Sequence, residues 1–208
     1  MSSTNRGGKR TPADFYPTPT WCVIRALEAI PLPDGEWLEP CAGDGSIIRA
    51  TQQIRRDVSW RAVEIRSSCK ADLERYLSAD RVAYVDFFEW RTSQRFEVLL
   101  TNPPYALAEQ FLSAGLELAQ NVVLLLRLNF LASAKRAELM RRRAPDVYVL
   151  PNRPSFSGSG TDSVEYAWFH WPPGYRERGS IVVLPQSSVE ERRGTAQLQE
   201  DSFKAPSL

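Results

Sequence analysis

The chain has 208 residues, a length typical of a single domain with a sizeable buried core. Hydrophobic residues make up 43% of it and aromatic residues 11%, as in a globular protein rather than a disordered or fibrous one. The formal net charge is +1, so the overall charge indicates neither a nucleic acid nor a membrane as a partner, and only local clustering can support such a partner.

The numbers of cysteines and histidines and the lengths of the apolar runs argue against further classes of protein. The three cysteines form no CxxC pair and His170 is the only histidine, which argues against a zinc site and favours a reduced, cytoplasmic protein. No apolar run approaches the length of a membrane span, and the polar N-terminus lacks the apolar segment of a signal peptide. We therefore predict a disordered basic arm over residues 1–13, one domain over 14–185 and a flexible polar tail over 186–208.

Within the predicted domain, short apolar runs alternate with segments of helical periodicity. The first predicted elements are a helix over residues 18–30, a strand over 36–40, a helix over 46–54, a strand over 60–65, a helix over 68–77 and strands over 82–88 and 96–102. They are followed by a helix over 108–119, a strand over 121–127, a helix over 134–143 and strands over 146–151 and 164–171. This alternation predicts an α/β fold with a seven-stranded, mostly parallel sheet, helices on both faces and an antiparallel last strand. Residues 180–185 offer a short additional edge strand.

The first predicted strand leads into the segment LEPCAGDGSI, residues 38–47. Gly43 and Gly45 permit a tight turn against a ligand, with a helix beginning directly after it. A dinucleotide-binding turn would need a third glycine, which this segment does not have. The pattern therefore predicts a ligand-binding turn of another kind.

Four carboxylates belong to this turn or to the ends of the first three strands: Glu39, Asp44, Glu64 and Asp86. In a parallel sheet they meet at the carboxyl edge, where open α/β sheets bind ligands. A pyrophosphate would be repelled there, whereas a sulfonium, an ammonium and a ribose diol would be favoured, and S-adenosylmethionine carries all three. The alternative is a set of helix caps and solvated turn acids.

The segment TNPPYALAEQF, residues 101–111, directly follows an apolar strand. Neither proline can donate a backbone hydrogen bond to a sheet, so Pro103 and Pro104 form a stiff corner. The proline after Asn102 also biases that residue toward extended geometry. The segment therefore presents an amide, a carbonyl and the ring of Tyr105 together, and the alternative is an ordinary turn.

The order of the segments DFYPTPTW, EPCAGDG and NPPY resembles the class I S-adenosylmethionine-dependent methyltransferases, and among them the gamma-order enzymes that methylate N6 of adenine in DNA. The resemblance extends over roughly residues 14–171. It implies a single Rossmann-like methyltransferase domain that uses S-adenosylmethionine and no metal. NPPY after a strand is a specific signal, whereas the glycine turn alone would be a weak one.

The resemblance also implies which residues hold the cofactor. The methionine portion would lie near Phe15, Tyr16 and Thr18. Its amino acid end would be held by Glu39 and by the turn of Ala42, Gly43, Asp44 and Gly45. The ribose hydroxyls would be bound by Glu64 and the adenine amine by Asp86. The adenine ring would pack on Phe87 or on Phe88, because the duplicated phenylalanine leaves that choice open.

Catalysis would belong to the corner formed by Asn102, Pro103, Pro104 and Tyr105. An exocyclic amine of a base is a poor nucleophile because its lone pair is delocalised into the ring. The side-chain oxygen of Asn102 and the carbonyl of Pro103 would accept its two hydrogens, favour a pyramidal nitrogen and stabilise the positive charge that grows there. Tyr105 would provide a face for the base. No general base is required, since the proton can leave to water after the transfer.

The segment PNRPSFSGSGTDS, residues 151–163, resembles the later family motif that holds a base extruded from the duplex. Phe156 is the candidate for the second face, opposite Tyr105, because stacking between two aromatic rings offsets the cost of unpairing the base. The alternative is an exposed phenylalanine in a flexible connector.

Clustered basic residues predict contacts with nucleic-acid phosphates, and a solvated helix face is the alternative. The predicted contacts are Lys135, Arg136, Arg141 and Arg153. Further positive charge comes from Arg127, Arg142 and Arg143 and, in the arm, from Arg6, Lys9 and Arg10.

The sequence thus predicts methyl transfer to N6 of adenine in DNA. Adenine in RNA, N4 of cytosine and the side-chain amide of a protein glutamine would suit the same corner, and a non-catalytic nucleic-acid-binding module is the alternative from another class. Between Tyr105 and Phe156 there is no room for a separate recognition domain. We therefore expect short or relaxed sequence specificity, or a partner subunit that reads the site, and the oligomeric state stays open.

Overall fold

The computed structural model describes residues 17–156, 163–174 and 176–192. Its helices are α1 (Thr20–Ala29), α2 (Ser46–Ile54), α3 (Lys70–Leu73), α4 (Ala108–Leu118) and α5 (Ala137–Arg142). Its strands are β1 (Gly35–Glu39), β2 (Val58–Val63), β3 (Val82–Ala83), β4 (Phe96–Thr101), β5 (Ala119–Arg127), β6 (Asp146–Val149), β7 (Tyr166–Trp171) and β8 (Ile181–Val183). The predicted arm with its basic residues, together with Phe15 and Tyr16, lies outside the described residues.

All eight strands form one sheet in the order β3-β2-β1-β4-β5-β7-β6-β8. Strands β1 to β5 pair in parallel, whereas β7 runs antiparallel to both of its neighbours, β5 and β6. The predicted α/β fold with a mostly parallel sheet is therefore confirmed. The predicted count of seven strands is wrong by one, because β8 pairs in parallel with β6 at the edge of the sheet.

The central strands are buried on both faces by helices. Neighbouring residues of β1 show this directly, since Trp37 contributes to the core beneath α1 and α2, and Leu38 to the core beneath α4. Every residue of β7 is buried too, because that strand lies between β5 and β6 rather than at an edge. No helix within the described ranges combines the length and apolar character needed to cross a membrane.

Several elements are shorter than their patterns predict. Strand β3 ends at Ala83 instead of residue 88, because the chain there leaves the sheet for a turn in which the Asp86 carbonyl accepts from the amides of Glu89 and Trp90. The helices predicted over 68–77 and 134–143 each open with a 3-10 turn, which leaves only α3 and α5 as regular helix. Both changes put more of the chain into loops around the sheet.

The first residues of the predicted tail pack against the domain. Ser187 is only 2% exposed, and its backbone N–H donates to Oδ1 of Asn152 at 2.8 Å. Arg25 of α1 forms an ion pair with Glu191 at 2.8 Å. The part of the tail from residue 193 onward lies outside the described residues.

Candidate active site

The turn between β1 and α2 is fixed by its glycines and by the neighbouring strand. Gly43 and Gly45 have φ angles of 56° and 78°, in the left-handed region that favours glycine. A Cβ atom on Gly45 would also lie 3.1 Å from the ring of Tyr76. The amide of Ala42 donates to the carbonyl of Val63 at 3.0 Å, which anchors the turn to β2.

Two carboxylates at this turn are almost completely buried. Glu39 and Glu64 are each 2% exposed, and within the described part of the chain Oε2 of Glu39 has no hydrogen-bond partner. Burial raises the pKa of Glu39 well above its ordinary value, and the charges of Asp44 and Glu64 raise it further. Burial also raises the pKa of Asp44, and the hydrogen bond from the amide of Ser46 opposes that rise. A cation placed here would relieve an unfavourable concentration of negative charge.

Glu64 differs from Glu39 because its oxygens already have donors. The amide of Gly43 donates to its Oε2 at 2.7 Å, and the backbone N–H of Arg66 donates to its Oε1 at 2.8 Å. The side-chain Nε of Arg66 donates to the same Oε1 at 2.9 Å. A ribose diol at Glu64 would therefore have to share the carboxylate with the Arg66 side chain or displace it.

The loop after β3 carries Asp86 and both phenylalanines, and the two phenylalanine rings pack on α4. Oδ1 of Asp86 accepts from the amide of Phe88 at 2.9 Å. Phe87 is 6% exposed and stacks on Phe111 at 5.3 Å, whereas Phe88 is half-buried and meets the same ring edge-on at 5.0 Å. Of the pair, Phe88 has the more accessible ring.

The corner after β4 is connected to the glycine turn by a chain of hydrogen bonds. Nδ2 of Asn102 donates to Oγ1 of Thr18 at 3.1 Å, and the hydroxyl of Tyr105 donates to Oδ1 of Asn102 at 3.3 Å. The amide of Thr18 in turn donates to Oγ of Ser46, the first residue of α2, at 3.1 Å. The sequence predicts Thr18 and Asn102 as site residues but not their contact, and it gives no role to Ser46.

Cys41 is a second link between the turn and the corner. Its thiol lies 2.8 Å from Oγ1 of Thr101 and donates to the carbonyl of Asn102 at 3.6 Å. Burial raises the pKa of this thiol strongly, so it is a neutral hydrogen-bonding group rather than a nucleophile. Pro103 is buried and Pro104 exposed, so the corner is held from one side only.

The two predicted base-stacking rings converge on a third ring. Tyr166, at the start of β7, lies 5.6 Å from the ring of Tyr105 and 5.1 Å from that of Phe156. The guanidinium of Arg127 sits 4.9 Å from the centre of the Tyr105 ring. Tyr166 is 1% exposed and could not be recognised from the sequence, because its strand reads as ordinary sheet core.

Another residue that the sequence did not indicate is Ile65. It follows Glu64 at the carboxyl edge and keeps 62% of its surface exposed, although large aliphatic side chains are usually buried. Its position in the sequence could have indicated this residue, since an isoleucine directly after a strand-ending carboxylate lies where ligands of such sheets bind.

The basic residues divide into exposed and internally engaged groups. Among the predicted phosphate contacts, Lys135 and Arg141 are exposed and form no ion pair with another described residue. Arg136 instead donates to the carbonyl of Phe130 and lies 4.3 Å from the centre of its ring, and Arg153 pairs with Glu165. Two of the four predicted phosphate contacts are therefore already engaged within the protein.

Comparison with known proteins identifies the architecture. The sequence matches no family model and no curated protein. Among solved structures, the methyltransferase subunit of a type I restriction-modification system from Streptococcus thermophilus gives a TM-score of 0.61 at 14% identity, over 94% of this chain and 54% of that one. The fold is that of the methyltransferases.

Other structures with the methyltransferase fold give similar agreement. The 23S rRNA methyltransferase ErmE has a TM-score of 0.56 at 17% identity, over 89% of this chain and 78% of that one. A dimethyladenosine transferase from Plasmodium falciparum has a TM-score of 0.55 at 13% identity, over 77% and 63%. At these identities the likeness concerns the fold, and the chain spans about half the length of the restriction-modification subunit.

Proposed function

We propose that the protein is an S-adenosylmethionine-dependent methyltransferase that methylates N6 of adenine in DNA. The observation that carries this proposal is the arrangement of Asn102. Its Nδ2 atom is engaged by Thr18, so its Oδ1 atom is left as an acceptor at the carboxyl edge of the sheet. The hydroxyl of Tyr105 donates to that oxygen in a long hydrogen bond of 3.3 Å, and a carbonyl oxygen can accept from a second donor.

The side chains around the glycine turn fit S-adenosylmethionine. The buried oxygen of Glu39 that lacks a partner among the described residues would be satisfied by the ammonium of the methionine portion, which would also lower the pKa of this carboxyl. Glu64 would bind the ribose hydroxyls once the Arg66 side chain gives up its place. The exposed Ile65 would cover one face of the adenine, and Asp86 would accept from its amine.

When bound, S-adenosylmethionine would supply an electrophilic methyl group and leave as the neutral thioether S-adenosylhomocysteine while a new N–C bond forms on the substrate amine. Asn102 Oδ1 and the Pro103 carbonyl would accept the two amine hydrogens. This favours a pyramidal nitrogen, whose lone pair points out of the plane of the ring instead of being delocalised into it. Both acceptors stabilise the positive charge of the alkylated nitrogen before its proton passes to water. Because the diproline corner is stiff, little ordering is needed before the reaction.

The aromatic group would hold the extruded base. Tyr105 and Phe156 would stack on its two faces, with Tyr166 behind them to fix their separation. Arg127 now lies over the Tyr105 ring, so it would have to move when a base binds on that face. Stacking of this kind contributes about 1–3 kcal/mol per base.

DNA is the proposed polymer because the corner resembles that of the DNA enzymes and because a restriction-modification subunit shares the fold. Lys135 and Arg141 would contact phosphates, and a partner subunit would supply sequence recognition. Adenine in RNA is the second candidate, which is favoured by the fold likeness to the rRNA methyltransferase and the dimethyladenosine transferase.

The decisive experiment is a product analysis. The pure protein is incubated with methyl-labelled S-adenosylmethionine and separate pools of DNA, RNA and protein, which are then digested and analysed by mass spectrometry. We expect label in N6-methyl-2′-deoxyadenosine. Label in N6-methyladenosine or in methylglutamine would replace the DNA assignment, and label in none of the pools, with or without a candidate partner subunit, would overturn the enzymatic proposal.

A further inference from the structure

A second charged side chain beside the glycine turn, that of the half-buried Arg49, has buried atoms without a partner in the described residues. Arg49 of α2 has its Nε and Nη2 atoms shielded from solvent, and neither makes a hydrogen bond within the described part of the chain. No ion pair there joins Arg49 to an acidic side chain. An arginine is rarely shielded in this way unless something pairs with it, because burying an uncompensated charge costs free energy.

The position of Arg49 in α2 places its side chain near the glycine turn. Helix α2 begins at Ser46, three residues earlier, so the two side chains share one face of the helix. Long side chains in a helix lean toward its N-terminus, which here is the end that carries Gly45 and Asp44. The positive charge of Arg49 also opposes the rise in the pKa of Asp44, as expected for a group close to the turn.

Ser46 shows which side of the turn this face meets. Its Oγ accepts from the amide of Thr18, whose own hydroxyl oxygen accepts from Asn102. Arg49 therefore lies on the face of α2 that meets the segment before α1, and Glu39 closes the turn from the end of β1. The turn is thus flanked by one acidic and one basic side chain, each with buried atoms that have no partner in the described residues.

We propose that Arg49 binds the α-carboxylate of the methionine portion of S-adenosylmethionine while Glu39 accepts its α-ammonium. This inference rests on the proposed function and adds to it a residue that reads the amino acid end of the cofactor. A zwitterion satisfies both orphaned groups at once, whereas a ligand with a single charge would leave one of them buried and unpaired. Guanidinium and carboxylate also match geometrically through paired hydrogen bonds.

The test compares ligands with and without the amino acid end. S-Adenosylhomocysteine has it, and 5′-methylthioadenosine lacks it while keeping the adenosine and the sulfur. We expect Arg49→Met to weaken S-adenosylhomocysteine binding about 30-fold or more by calorimetry, in line with a lost charge-assisted hydrogen bond. Binding of 5′-methylthioadenosine should change less than about threefold. The matched control is Arg56→Met, which removes an exposed arginine from the loop after α2 and should change neither affinity.

Thermal melting provides a readout that does not depend on activity. Because Arg49→Met removes a half-buried charge whose shielded nitrogens are unpaired in the described residues, the ligand-free variant should melt at the same temperature as the wild type or higher. Saturating S-adenosylhomocysteine should raise its melting temperature less than it raises that of the wild type. Arg49→Lys should recover part of the affinity, since it keeps the charge and loses the paired geometry.

A substitution-free arm covers the case in which a variant fails to fold. Decarboxylated S-adenosylmethionine keeps the ammonium and lacks only the carboxylate, so the wild type should bind it at least about 30-fold more weakly than S-adenosylmethionine if Arg49 reads that group. Equal affinity for the two, or undiminished S-adenosylhomocysteine binding by Arg49→Met, would overturn the inference and leave the proposed function standing. A wild-type protein that binds none of these ligands would overturn both.

Discussion

Polar side chains are buried at both ends of the central strands, but in different states. Toward the amino end, Asn121 of β5 uses both ends of its amide: Oδ1 lies 2.9 Å from Nε2 of His170, and Nδ2 donates to the carbonyl of Glu97 at 3.1 Å. At the carboxyl end, Glu39 and Arg49 keep buried atoms without partners in the described residues. At the amino end both sides of the Asn121 amide are engaged, and the unpaired atom of the pair is the neutral Nδ1 of His170, whereas the unsatisfied groups at the carboxyl end are of opposite charge.

This difference separates a structural role from a binding role. A buried neutral amide whose two hydrogen bonds are made adds to stability, and its removal leaves unsatisfied groups behind. Buried ionisable groups without partners reduce stability, so their presence is best explained by a ligand that pairs with them. We therefore expect substitutions at the carboxyl end to affect binding and turnover, and substitutions at the amino end to affect folding.

The largest effect should come from Asn102→Ala at the carboxyl end. Removing one of the two acceptors for the substrate amine should lower kcat about 100- to 1000-fold, as loss of one preorganised transition-state hydrogen bond does in other enzymes. The melting temperature and the affinity for S-adenosylhomocysteine should change little, because Asn102 is half-buried and its proposed partner is the amine rather than the cofactor. Single-turnover kinetics with methyl-labelled cofactor measure the chemical step directly.

Asn121→Ala is the matched variant at the amino end. It removes an amide with two buried contacts, so it should lower the free energy of unfolding by about 2 kcal/mol and leave S-adenosylhomocysteine affinity unchanged. If Asn121→Ala reduced turnover as much as Asn102→Ala, or if Asn102→Ala unfolded the protein, the proposed division between the two ends would be wrong.

The next effect is a pH dependence at the amino end. Burial lowers the pKa of His170 from 6.5 to about 4, and the nearby charges of Asp146 and Arg176 act in opposite directions. The folded state therefore binds fewer protons than the unfolded state between these values. The free energy of unfolding should be flat in this contribution above about pH 6.5 and fall by about 3 kcal/mol as the pH drops to about 4.

His170→Gln isolates this contribution. Glutamine does not titrate and can still donate to Oδ1 of Asn121, so the difference in unfolding free energy between wild type and variant should depend on pH only between about 4 and 6.5. Urea melts at half-unit pH intervals measure it. A difference that stays constant over this interval would show that His170 is protonated as readily in the folded protein as in the unfolded one.

Local sequence signals were sufficient for the elements that set the candidate site. The glycine turn follows from residues in direct succession, and the corner after β4 follows from the restrictions that proline imposes on its neighbours. The mostly parallel sheet follows from alternating apolar runs. The length of β3 could not be predicted, because an edge strand ends where its single neighbour stops pairing, and residues 84–88 remain as apolar as a strand.

Contacts between distant segments could not be predicted. The Thr18–Asn102 hydrogen bond spans 84 positions of the chain, and Tyr166 meets Tyr105 only because β7 inserts beside β5. Glu64 and Arg66 are two positions apart in the sequence, which permits an ion pair. Whether the pair forms depends on the side-chain conformation of the arginine, which the sequence does not give. The cofactor and base roles assigned to individual residues stay predictions, and the two hydrogen-bond partners of Asn102 are what the structure adds to them.

The smallest effect should come from Thr18→Val, which tests the hydrogen bond between Nδ2 of Asn102 and the hydroxyl of Thr18. Valine keeps the volume of threonine and the backbone bond to Ser46 but removes the acceptor for Nδ2 of Asn102. Without it the amide can rotate, so the acceptor oxygen is in place for a smaller part of the time, and kcat should fall about 5-fold, the equivalent of one hydrogen bond of about 1 kcal/mol. Affinity for S-adenosylhomocysteine should stay within about threefold. If Thr18→Val lost cofactor binding instead, the threonine would serve the cofactor directly. The double variant Thr18→Val, Asn102→Ala should be no slower than Asn102→Ala alone, because the hydroxyl then has no amide to orient.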